Sequence, residues 1–284
     1  MSKDDGHISP AAEKAIRAAQ RRNRFLQRRD VLLSICTPIV FLILWEITAK
    51  TGMIDERIFS SPTNIVETGY TMVLDGSLAA HAWATVYRLI LGFALGAVVG
   101  ILAGLLMGVF RPLRAAFGPT FTALYALPMI AILPLLLLVF GLTETPRILA
   151  VAISVFFVLQ INTVAGLMQI DSRTLEAARA YNARGFNLFR TVLLPASLPT
   201  IATGLRVAAG MSVTVVTAVE FVAANAGLGF LVWNSWQLFQ PSVMYVGLIC
   251  VAILGAVFTF VLVAFERAMT PWRFAGKTKR RKVT

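Results

Sequence analysis

Charge is the first thing this sequence lacks. Asp, Glu, Lys and Arg make up 14% of its 284 residues, against about 25% in ordinary soluble domains, and its mean hydropathy is +0.75. That balance excludes an ordinary soluble globular domain. Histidine is almost absent: His7 and His81 stand alone and far apart, which excludes a histidine-built metal site. The two cysteines, Cys36 and Cys250, fall in apolar stretches; they read as small packing residues and supply neither a disulfide nor a metal framework. No Gly-x-Ser-x-Gly turn and no paired carboxylates occur in the apolar stretches, which argues against an intramembrane enzyme, so no catalytic residue is assigned. Gly276-Lys277-Thr278 ends like a phosphate loop, but Pro271 stands where the upstream glycine belongs. The chain is therefore not expected to hydrolyse ATP or to carry a cofactor.

What is present is length without charge. Six stretches, roughly 31–49, 83–109, 117–140, 146–168, 201–223 and 243–265, suit a bilayer of about 30 Å. They predict an all-α integral membrane protein with six transmembrane helices. The second stretch is long enough to tilt. No cleavage pattern precedes the first, so it is expected to be retained. The net charge of +12 does not indicate nucleic acid, because the basic residues cluster at the termini and in the connecting segments. With the N-terminus inside, 21 of the 26 Lys and Arg fall in inside segments, and only Lys50, Arg57 and Arg147 lie outside. That asymmetry predicts an N-in, C-in topology. The organisation is a basic tail over 1–30, a first transmembrane helix over 31–49, a multi-span body over 78–268 and a second basic tail over 269–284, the tails lying beside anionic lipid.

The inside segment 169–200 carries a helical pattern of its own. Asp171 or Ser172 can cap a helix whose first turn is expected to hold Glu176, where a carboxylate meets the positive helix end. Asn182 tolerates the left-handed conformation that ends one helix and begins the next. Pro195 is expected to stop the second helix, and Pro199 to open the fifth span. A short helix–turn–helix at the inner membrane surface follows.

This segment resembles the cytoplasmic EAA loop of binding-protein-dependent ABC permeases. Glu176-Ala177-Ala178 is followed at the family's spacing by Val192, Leu194 and Pro195, with Asn182 where that pattern has glycine. Asn is the next most tolerant residue at a left-handed position. Ser61-Pro62-Thr63, Leu133-Pro134-Leu135-Leu136, Asn162-Thr163-Val164-Ala165-Gly166, Gly204-Leu205-Arg206, Ala218-Val219-Glu220-Phe221 and Gly227-Leu228-Gly229 are similar to the nitrate/sulfonate/taurine branch. The resemblance implies the type I importer permease fold in a bacterial inner membrane, with residues 78–268 as the permease domain. It implies a non-enzymatic subunit working as two copies, with a separate ABC ATPase that holds ATP and Mg and an external solute-binding protein. Glu176, Ala177, Ala178, Asn182, Leu194 and Pro195 would couple ATPase closure to the spans. The implied solute is a small anion such as a sulfonate, taurine or nitrate. The contrasting reading is a secondary transporter or channel that needs no ATPase.

Within the spans, Gly92, Gly96, Gly100, Gly104 and Gly108 recur every four residues, a spacing for close helix packing, within the chain or across a dimer seam. Pro128 and Pro134 should kink the third span and either line a pathway or serve structure alone. Arg88 and Glu220 are placed at similar depth, as an ion pair or an outer gate. Arg206 either snorkels to the cytoplasm or meets the coupling loop. Gln160 and Asn162 are candidates to line a pathway or to bridge helices, and Glu46 is expected at the interface. The aromatic segment 224–242 is read as resting on or re-entering the bilayer.

Overall fold

The computed structural model describes residues 10–55 and 58–269, and among these every regular element is helical. His7, Arg57, the ends of both basic tails and Gly276-Lys277-Thr278 lie outside the described residues. The elements are α1 (Pro10–Lys50), α2 (Pro62–Leu74), α3 (Ser77–Val109), α4 (Arg111–Tyr125), α5 (Met129–Phe140), α6 (Thr145–Met168), α7 (Ser172–Ala180), α8 (Gly185–Leu188), α9 (Leu194–Ala223), α10 (Leu228–Gln237) and α11 (Pro241–Met269), with a π-helical turn at Phe189–Leu193.

The chain divides into two compact units, residues 1–65 and 66–284. In the first, the Leu32–Lys50 part of α1 is long and apolar enough to cross a membrane and is almost wholly exposed. Near its end Glu46 pairs with Lys50 at 2.7 Å. Its carboxylate also accepts from the Thr63 N–H at 3.0 Å and hydroxyl at 2.6 Å. The carboxylate thus satisfies a donor at the first turn of α2, beside the Ser61 hydroxyl, which accepts from the Asn64 N–H at 3.3 Å.

The second unit is built on the α3–α6 contact. The five glycines of α3 all face α6, and each four-residue step is matched on the partner by Val151, Val155, Leu159, Thr163 and Leu167. A Cβ on Gly92 would stand 2.6 Å from the Val151 Cβ, and one on Gly104 would stand 2.5 Å from the Thr163 Cβ. Matched steps of four bring the same ridges together along both helices, so contact persists through all five. α9 packs on the next face of α6, where Gly166 meets Thr200 and Gly204 meets Asn162. Leu89, Val155, Leu159, Ala208 and Val216 form the core of this three-helix layer. α10 and α11 cover α9. Away from these contacts, Val98, Leu102, Ile253 and Phe260 are exposed, as suits lipid-facing positions.

Two expectations change. Five helices among the described residues are individually long and apolar enough to span, while the stretch 117–140 is a helix pair, α4 and α5, bent by 101°. Only Pro128 breaks it. Before Pro128, Ala126 and Leu127 donate back three residues to Ala123 and Leu124, tightening the turn, and Pro128 itself is extended at φ −60, ψ 122. Pro134 sits inside α5. The second change concerns Pro195, which does not stop a helix. Gly185–Ala223 runs as one 39-residue helix, because the Leu194 N–H reaches back five residues to Phe189. That wider turn falls just where the proline ring would crowd an ordinary α-helical turn.

The seam sets a stability prediction. Gly96→Val would drive its side chain into the Ala152 carbonyl and Val155. It should cost about 3 kcal/mol or more, read as a large fall in thermal midpoint in detergent. Gly210→Ala, with nothing within 4 Å of the new Cβ, should stay within about 0.5 kcal/mol of the parent.

Candidate functional site

Four charged side chains converge where α3 and α6 begin and α9 ends. Arg88, from α3, donates through Nη1 to Glu220 of α9 at 2.7 Å and to the Ala226 carbonyl at 2.6 Å. Its Nε and Nη2 grip Glu144 at 2.6 and 2.9 Å. Arg147, on the first turn of α6, donates to the same carboxylate at 2.6 Å and to the Ala223 carbonyl at 2.6 Å. The two guanidiniums therefore also serve one carbonyl at the end of α9, Ala223, and one three residues beyond it, Ala226.

Glu220 is wholly buried and fully provided for. Thr85 donates to it at 2.9 Å and the Gly229 N–H at 2.8 Å, while the Thr85 hydroxyl accepts from the Leu228 N–H at 2.7 Å. Gly227-Leu228-Gly229 thus wraps the start of α10 around a carboxylate. Gly227, at φ +130, has no room for a Cβ against Glu220, and a Cβ on Gly229 would lie 2.5 Å from the Thr217 carbonyl. Beside it, His81 Nδ1 accepts from the Gly227 N–H at 3.2 Å, which places the ring's proton on Nε2. Charges this deep are costly unless matched, and here each is.

The structure brings Arg88 and Glu220 together. Glu144, Arg147, Thr85 and the two glycines complete the cluster and were not among the candidates. Glu144 lies outside any apolar run, and the glycine roles depend on the fold bringing α10 back over Glu220. Segment 224–242 forms α10, whose Leu228, Leu231 and Val232 are buried while Trp233 and Trp236 stay exposed.

At the other end, α7 stands clear, with no buried residue. Asp171 caps it by accepting from the Arg173 N–H at 3.1 Å. Its far end is a double turn: the Asn182 N–H donates to Arg179 and the Ala183 N–H to Ala178, each at 2.9 Å, with Asn182 at φ 60. This is the geometry a left-handed residue gives a helix end. Glu176 is not in the first turn. The helix begins at Ser172, so Glu176 is its fifth residue, beyond the reach of the terminal dipole. Ala177 and Ala178 follow within α7, and Leu194 and Pro195 open α9.

The remaining candidates scatter. Arg206 donates to Glu266 of α11 at 2.5 Å. Asn162 donates to the Val158 carbonyl at 2.7 Å within α6. Gln160 contacts the Met107 sulfur at 3.2 Å, and its buried carbonyl oxygen has no hydrogen-bond partner. It borders a cavity of about 260 Å³, with Arg114, Gly118 and Thr122 of α4 across from it. Pro128 and Pro134 bracket the first half of α5. Among the described residues no cluster of His, Cys, Asp or Glu would hold a metal.

Comparison with known proteins places this architecture. Residues 96–271 match the family described as binding-protein-dependent transport system inner membrane component. A permease of Escherichia coli K12 named for aliphatic sulfonates transport, SsuC, is 34% identical over 242 residues, covering 85% of this chain and 92% of that one. The taurine transport system permease protein TauC of the same organism is 30% identical over 249 residues, 86% and 90% of the two chains. Among solved structures, the MetNI methionine ABC transporter in inward-facing conformations is similar in fold, with a TM-score of 0.58 at 22% identity over 67% of this chain and 94% of that one. The chain belongs to the binding-protein-dependent ABC transporter permeases, multi-pass inner-membrane proteins, in their nitrate/sulfonate/taurine-type branch.

The cluster generates two measurable expectations. Arg88→Gln strips Glu220 and Glu144 of their shared cation and should destabilise the fold by about 3–5 kcal/mol, seen as a lower thermal midpoint. Glu144, outside the spans, has its carboxyl held below its ordinary value of 4.5, chiefly by hydrogen bonding to Arg88 and then by the nearby Arg88 and Arg147 charges, against the opposing effect of burial. Its stabilising contribution is present above 4.5 and is lost as pH falls below that value towards the lowered one. Thermal midpoints of Glu144→Gln should therefore lose part of the parent's decline on acidification below pH 4.5.

Proposed function

We propose that this chain forms the transmembrane pathway of an ATP-driven importer for a small anionic solute, with a separate ATPase subunit acting on α7 and an external solute-binding protein supplying the solute. The observation that carries the reading is the mechanical continuity of one helix. Gly185–Ala223 is 39 residues long, about 58 Å at 1.5 Å per residue. It leads from the exposed α7 turn to Glu220 in the charged cluster. Tyr181, on that turn, and Phe186, in α8 just after it, are 89% and 75% exposed, aromatics of the kind enriched at binding surfaces. Force applied at α7 is delivered along a rigid rod to the far end of the fold.

The cycle then follows. Two copies of the chain assemble with two ATPases, which hold ATP and Mg, and the N- and C-termini lie inside. ATP binding draws the ATPases together, α7 moves with them, and the spans open outward to take solute from the docked receptor. Hydrolysis resets the inward-facing state. SsuC and TauC are named for sulfonates and taurine, which supports a sulfonate-like anion here; nitrate shares its charge.

Glu176→Lys reverses the charge at the centre of α7. It should leave insertion intact and cut ATP-dependent uptake by about tenfold or more, the effect of a like-charge clash of at least 1.4 kcal/mol. It should also reduce the ATPase activity that co-purifies with the tagged chain. Uptake that persists without ATP would favour the secondary-transporter or channel reading instead.

A further inference from the structure

We infer that Arg88 and Arg147 form an oxyanion subsite, held in this structure by the protein's own Glu144 carboxylate, which the solute's anionic group displaces during passage. This rests on the importer reading and names the part of the pathway that meets the charge.

The case is one of asymmetry. The Arg88 and Arg147 side chains are 3% and 6% exposed, whereas that of Glu144 is 46% exposed. The guanidiniums are fixed from behind, Arg88 by Glu220 and the Ala226 carbonyl and Arg147 by the Ala223 carbonyl. Neither depends on Glu144 for its position. Glu144 is fixed less firmly. It follows a short segment in which Gly141 has nothing within 4 Å of its Cβ position and Leu142 is 81% exposed. Removing that one side chain would uncover three N–H groups of two guanidiniums, already aimed at a single anion at 2.6, 2.9 and 2.6 Å. Such forked donors suit carboxylate and other oxyanions alike.

Charge decides the class of occupant. Two arginines face Glu220 and Glu144, so the cluster is neutral. Exchanging the Glu144 carboxylate for a monoanion keeps it neutral, whereas a dianion would leave an unmatched charge in a buried place. A sulfonate brings one charge and three oxygens to three donors; nitrate does the same in a plane. Glu144 serves as an internal competitor that keeps the subsite from trapping its guest. Lysine and arginine asymmetry puts this end of the helices outside, where a receptor delivers its solute.

The test is equilibrium binding of ethanesulfonate to the full chain in lipid nanodiscs, at constant ionic strength set with chloride. The parent should bind it weakly, and Glu144→Gln should bind about tenfold tighter, having lost the charged competitor. Glu144→Gln/Arg147→Gln should lose the gain. If Glu144→Gln does not insert, Glu144→Ser tests the same point. Absence of binding in both parent and single variant overturns the proposal, and so does undiminished binding by the double variant. Binding by the variant but none by the parent overturns it too, since the arginines would then merely accept any anion once a vacancy is made. None of these results touches ATPase co-purification through α7, so failure here and failure of the importer reading are told apart.

Discussion

Lipid tails are as apolar as leucine, so two helices in a bilayer gain little by hiding hydrophobic side chains from their surroundings, and contact itself has to hold them. In this protein that contact is the approach of α3 to α6 along five glycines. Each missing Cβ lets a backbone atom or a side chain of α6 lie against the α3 backbone, multiplying small dispersion gains over more than four turns. The rest of the second unit is stacked on this pair. α9 repeats the device with Gly166 and Gly204 on the next face of α6, and the register so fixed determines which polar groups meet at the helix ends.

The charged cluster depends on that register. Arg88 lies one helical turn before the first of the facing glycines, so sliding α3 against α6 by a turn would pull it from Glu144, from Glu220 and from the Ala226 carbonyl. Burying two guanidiniums and the Glu220 carboxylate is tolerable only when every donor and acceptor is met within tenths of an ångström. Close-packed backbones supply that precision, since they deform less than side-chain contacts do. The seam and the cluster are in this sense one construction, the first apolar and the second ionic. Through the helix that contains α9, both are joined to the turn that follows α7.

Much of this was visible in the residues. Long uncharged stretches, the four-residue glycine period and the EAA spacing are local patterns, and local patterns survive folding. Arg88 and Glu220 were each traceable by counting turns from the ends of their spans. Glu144 was not, because an acidic residue between two apolar stretches looks like any solvated loop residue. Gly227 and Gly229 were visible as a motif but not as a carboxylate cradle, since their reason is an atom seven to nine residues away brought back by a chain reversal. The π turn at Phe189–Leu193 was hidden as well. Proline predicts a missing hydrogen bond, but whether a helix ends there or widens and continues depends on what lies on either side. Pro128 and Pro134 make the same point from within one segment, as only the first breaks its helix.

That break has a geometric consequence. α4 has 15 residues and α5 has 12, about 22 Å and 18 Å of helix, and neither alone reaches across a hydrocarbon layer of about 30 Å. Together they do so only as a jointed pair, and a jointed pair sets its reach by an angle instead of a length. An unbroken span meets a thicker or thinner bilayer by leaning as a whole rod. This one carries a joint at Leu127–Pro128, and among the described residues it is where a change of depth in the membrane would be met by rotation about a few backbone bonds.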